Sequence, residues 1–263
     1  MGEFNTLLRA ISWDKPESII QLLDLMHFHF GNDDYKFTSS NKLLKWGDEF
    51  ASINLSLDEK LKTLNAFFFE KEKFTLTTET PATLFLEDFF QTKSGHPQLV
   101  SIVYQYLLNK LNIRSQVWCE SRPHLIRISD ESKTLVIDLC HKGQRATGQA
   151  LTPTPAPQQR TDIVTQFYYL LSDLADTHLF TNEYEKTLFL YDCVLSIKPE
   201  EVFWYARRGL LKKNLGQFSD ALMDLSRYVD FVNPKDVSPT VLNALVELKG
   251  LKFISQEILS VQH

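Results

Sequence analysis

The feature that most limits what this chain can fold into is a 34-residue period in its C-terminal part. Tyr184 and Phe218 are 34 apart, as are Thr187 and Ala221, Ala175 and Gly209, and Leu171 and Tyr205. Pro199 and Pro234 close the two copies at a spacing of 35. A fixed period of this length, with small and aromatic residues in register, marks helical hairpins that bury their apolar sides by stacking on one another. From Asp162 onward the pattern predicts helix throughout. Pro239 to Leu259 is then a terminal helix covering the last repeat, whose inner face is otherwise apolar and exposed.

The preceding part follows a different pattern. Residues 1–74 read as helices joined by short polar loops, among them Asn41 to Phe50 and Ser56 to Phe69. Ser56 followed by Glu59 fits a capping box. Residues 81–90 again look helical, and Pro97 opens a helix over 97–111 that is apolar nearly all round, hence buried. The period then changes to that of strands, over Ser115 to Glu120, Leu125 to Ser129 and Thr134 to Leu139. Gly143, Gly148, Pro153, Pro155 and Pro157 mark a linker. The expected organisation is a helix-rich α+β domain over 1–142, a linker over 143–160, and an all-α repeat domain over 161–263.

Composition narrows the function. The chain has 263 residues with 28 Lys+Arg and 33 Asp+Glu, a net charge of −5, which argues against a general nucleic-acid binder. The run Arg207, Arg208, Lys212 and Lys213 reads as a solvated helix face. Only nine glycines occur, and none cluster into a phosphate-cradling loop. The three cysteines, Cys119, Cys140 and Cys193, show no zinc or redox spacing and suggest a reduced, cytoplasmic protein. The N-terminus lacks the features of a signal peptide, and no apolar run of about 18 residues could span a membrane. His27 and His29 stand at i and i+2, which do not face each other on a helix, so they make no metal site. Neither a metal nor a cofactor is implied.

The residues that could carry chemistry are His124 and Asp138. A turn centred on Glu131 would set His124 opposite Asp138, Ile126 opposite Val136 and Ile128 opposite Thr134. A carboxylate beside an imidazole orients it and raises its basicity, as in the base–orienter half of a catalytic triad. The natural place for a nucleophile is the N-terminus of the buried helix, where the helix dipole lowers a thiol's pKa.

Read together, LNAFFFEKEKF, SGHPQLVSIVYQYLLNKLNI, PHLIRI, TLVIDLC and ARRGLLKKNLGQFSDALMDLSRYVDFVNP resemble, in order and spacing, the SirB-type family of bacterial proteins. These combine a transglutaminase-like domain, of papain-like α+β architecture with a small antiparallel sheet, with tetratricopeptide repeats. The resemblance covers most of the chain after about residue 55. It implies a Cys–His–Asp triad in which His124 matches the histidine and Asp138 the aspartate. The cysteine position falls among Pro97, Gln98 and Leu99, none of which is a nucleophile, and the SirB-type family also tends to lack that cysteine. Further departures are Pro123 in place of the usual glycine and Asp138-Leu139 in place of Asp-Pro.

Two functions are therefore expected to compete. One is a non-catalytic interaction or regulatory protein in which the first helix of each repeat lines a groove for a protein or peptide, placing Asp176, Leu210, Lys213 and Asn214 near it. The other is a divergent cysteine-type hydrolase or acyl-transfer enzyme using His124 and Asp138, with Cys119, Cys140 or a water as nucleophile. A thiol close to His124 in an open cleft would favour the second.

Overall fold

The computed structural model describes residues 8, 16–31, 38–77, 84–119, 122–129, 133–147 and 163–261. By its internal contacts the chain divides into two units, residues 1–174 and 175–263. Most of the linker expected over 143–160 lies outside the described residues.

Unit one is α+β. Helices α1 (Pro16–Phe30), α2 (Thr38–Ala51) and α3 (Leu57–Asn65) come first, and a π-helical turn, Ala66–Lys71, continues α3. Glu59 at the head of α3 accepts the Ser56 backbone N–H at 3.1 Å and its hydroxyl at 2.6 Å. The π turn buries Phe68 and Phe69, so the aromatic run is core. Strand β1 (Thr75–Leu76) pairs in parallel with β2 (Ser94–Gly95), and α4 (Leu86–Thr92) lies between them in sequence. Trp46 of α2 stacks on Phe90 of α4, and Phe68 meets Tyr104 edge to face. Tyr104 belongs to α5 (Pro97–Lys110), which is buried continuously from Gln98 to Leu108 as its uniform apolarity predicts.

Helix α5 packs against β3 (Arg114–Cys119) and β4 (Arg122–Ser129). These join β5 (Thr134–Asp138) and β6 (Gln144–Arg145) in an antiparallel sheet of order β3-β4-β5-β6. The sequence pattern shows three of these strands; β6, two residues long, has no periodic signal. The expected register is corrected by one residue. Asp138 stands opposite Leu125, Ile126 opposite Ile137, Ile128 opposite Leu135, and Ser129 opposite Thr134. The physical reason is side-chain matching: this register sets apolar against apolar on the face turned to α5 and leaves the polar Ser129–Thr134 pair to close the hairpin.

Unit two is helical. It holds the end of α6 (Ile163–Phe180) and then α7 (Tyr184–Ile197), α8 (Phe203–Asn214), α9 (Phe218–Phe231) and α10 (Pro239–Val261). Helices α8 and α9 form a close hairpin, and α10 packs on both. Gly209 lets α8 approach α9: a Cβ there would lie 2.8 Å from Leu225 Cδ2. No described helix is long and apolar enough to cross a membrane.

Candidate functional site

The N-terminus of α5 carries no nucleophile, since Pro97, Gln98 and Leu99 occupy it. His96 caps the helix, its Nδ1 accepting the Gln98 N–H at 3.4 Å. Burial lowers its pKa to about 4, so at neutral pH the ring is uncharged although Asp173 Oδ2 lies 3.7 Å from Nε2. Ser101 is fully buried, and its hydroxyl donates to the Pro123 carbonyl. It therefore ties the helix to the residue before His124 and is not aimed at a substrate.

The chemistry-bearing side chains meet at the open end of the β4–β5 hairpin, away from its closing turn. His124 and Asp138 are not opposite each other in the ladder, yet they come together where β5 gives way to a single 3-10 turn, Leu139–His141. Cys140 joins them: one ligand atom from each of His124, Asp138 and Cys140 lies within 4.8 Å of the others. Among the described residues, these form the one such grouping of three His, Cys, Asp or Glu side chains. Asp138 is buried and shapes the turn, its Oδ1 accepting the Cys140 backbone N–H at 2.8 Å. Its Oδ2 lies 2.7 Å from Nδ1 of the exposed His141. Burial first, and the Asp138 carboxylate second, push the exposed Cys140 thiol up in pKa. At neutral pH the sulfur is thus a protonated thiol and a weak nucleophile.

The sequence offers Cys119 and Cys140 alike as neighbours of His124 and Asp138, and the 3-10 turn after β5 is what brings Cys140 to them. Of the other two cysteines, the Cys119 side chain lies outside the described residues, and Cys193 is buried, which raises its pKa. His27 is buried against Phe85, ring centroids 5.0 Å apart, and burial lowers its pKa. A feature that sequence reasoning missed is a cavity of about 300 Å³ on the sheet, lined by Trp118, Arg127, Val136 and Arg145 among others.

In unit two, Leu210, Lys213 and Asn214 line one groove of about 340 Å³, completed by Thr240, Asn243, Ala244 and Glu247 of α10. Asp176 is engaged elsewhere, in an ion pair with Arg207. The basic run of α8 is paired throughout. Arg208 grips Asp224 with two bonds of 2.8 and 2.6 Å and reaches Asp192 at 2.5 Å. Lys212 adds a bond of 2.9 Å to Asp224, and Lys213 pairs with Glu247.

A buried helix packed on an antiparallel sheet, with a histidine and an aspartate meeting at the ends of its two inner strands, is the arrangement expected of a transglutaminase-like domain. The profile of the transglutaminase-like superfamily matches residues 38–170, just over half of the chain. The chain belongs to that superfamily. No curated protein and no solved structure matches it.

Proposed function

We propose that this chain is a non-catalytic, protein-binding member of its superfamily, of the SirB-type arrangement, with tetratricopeptide-like hairpins as the binding platform. The observation that carries this reading is the N-terminus of α5, which presents Pro97, Gln98 and Leu99 where the enzymes of the superfamily need a thiol. The 34-residue period and the close α8–α9 approach at Gly209 support the repeat assignment. The partner is a protein or peptide held in the α8–α10 groove at Leu210, Lys213 and Asn214; Asp176, paired with Arg207, serves the helix packing instead. The pairing of all four cations in the α8 run supports a partner other than nucleic acid. Co-purification of the full chain from its native cell is expected to recover a partner that Lys213→Glu and Asn214→Arg release together. Recovery of no partner, or of one that both variants retain, would overturn the groove assignment.

One observation favours a second reading, a cysteine-type hydrolase or acyl-transfer enzyme: an exposed thiol does stand beside His124 and Asp138. In that case His124 takes the Cys140 proton as the sulfur attacks an acyl carbon and gives it to the departing amine or alcohol, Asp138 holding the imidazolium, and water or another acceptor then cleaves the thioester and frees the thiol. A thiol-reactive probe at neutral pH would then label Cys140 rapidly in the native chain and slowly in His124→Ala. Equal, slow labelling of both is the outcome expected from the raised thiol pKa.

A further inference from the structure

We propose that His124, Asp138 and Cys140 form a binding site for a thiophilic divalent transition metal of the Zn²⁺ class. The donors are an imidazole nitrogen, a carboxylate oxygen and a thiol sulfur, all within 4.8 Å of one another. That mixed set suits Zn²⁺ and its close chemical analogues, whereas Mg²⁺ and Ca²⁺ select oxygen donors. Tetrahedral zinc with bonds of about 2.0–2.3 Å holds its donors roughly 3.5 Å apart, so closure needs only about an ångström of side-chain movement.

Two features prepare the site. Asp138 is fixed by the Cys140 N–H at 2.8 Å and by His141 at 2.7 Å, which leaves further lone pairs on each oxygen. A ligating carboxylate held by outer hydrogen bonds is the usual form of such sites, and His141 supplies one here. The second feature is access. Cys140 is exposed, so the ion enters from solvent and a fourth position stays open to water or an exchangeable anion. Forming the metal–sulfur bond breaks the S–H bond of Cys140, and the proton leaves to solvent. The site does not depend on the groove of unit two, so either assignment can fail without the other.

The test uses the full chain titrated with Co²⁺, followed by displacement with Zn²⁺. The native chain is expected to show one equivalent of bound Co²⁺ with a thiolate-to-cobalt charge-transfer band, abolished by Zn²⁺. Cys140→Ser, at an exposed position that leaves the fold intact, is expected to remove the band. His124→Ala is expected to weaken Zn²⁺ binding by more than the ~100-fold upper range for outer partners. Cys119→Ser and Cys193→Ser are expected to keep the band. Absence of the band in the native chain, its persistence in Cys140→Ser, or its loss in Cys119→Ser would overturn the proposal. Far-UV circular dichroism of each variant separates lost binding from lost fold.

Discussion

Asn65 connects three parts of unit one. Its side-chain oxygen accepts the hydroxyl of buried Tyr104 at 2.5 Å, and its amide donates to the Gly143 carbonyl at 3.1 Å. Gly143 follows the turn that carries Cys140, with φ +71°, and a Cβ there would collide with the Asn65 side chain. Gly143→Ala therefore meets both a disfavoured backbone and a polar neighbour that cannot withdraw without breaking its bonds. Its expected effect is a loss of at least about 1–3 kcal/mol, read from the urea midpoint at constant m-value. At this scale the sequence was informative about residue type and weak on placement. His124 and Asp138 stood out by their chemistry. Their register depended on whether the hairpin closes at Ile128–Thr134 or at Ser129–Thr134, and the polar match of Ser129 with Thr134 was the available clue. Cys140 was harder to place, because a 3-10 turn leaves no periodic trace.

Between elements, the contact of α8 with α9 was the most legible part of the chain. A 34-residue period that sets Gly209 in line with Ala175 predicts a close helix crossing, and Leu225 fills the space a side chain would need. Gly209→Val is expected to destabilise unit two by about 1–3 kcal/mol through overpacking, measured as a lowered unfolding midpoint. The charges of the same helix were less legible. Arg207, Arg208, Lys212 and Lys213 read as a solvated face because their carboxylates lie on other helices. Asp224, buried on α9, takes both Arg208 and Lys212, and Asp192 on α7 takes a third bond from Arg208. A linear pattern carries no record of partners that only folding brings near. The short β1–β2 pair and β6 were missed for a related reason, since two-residue strands are fixed by their neighbours and not by their own alternation.

For the molecule as a whole, acid sensitivity between pH 7 and pH 5 depends on histidines whose pKa burial lowers. Burial lowers the pKa of His96 to about 4 and lowers those of His27 and His178 as well. The unfolded chain titrates these rings near the ordinary value of about 6.5. Between that value and the folded one, the unfolded state binds more protons, so stability rises with pH and falls on acidification. His96 alone contributes a slope approaching about 1.4 kcal/mol per pH unit within its window. Asp88, whose pKa burial raises, acts in the opposite sense as the pH falls. The urea midpoint is expected to drop from pH 7 to pH 5, and His96→Gln is expected to flatten that drop. The hairpin site has a kinetic counterpart. His124, Asp138 and Cys140 all lie within residues 124–140, on one hairpin and the turn that follows it. The donors can therefore meet through local loop closure, with low contact order and little entropy lost. Asn65, which steadies the far side of the turn from more than 70 positions upstream and also holds Tyr104 of α5, is a contact of long sequence separation. Closing the trio thus costs less chain entropy than closing the Asn65 contact that steadies it.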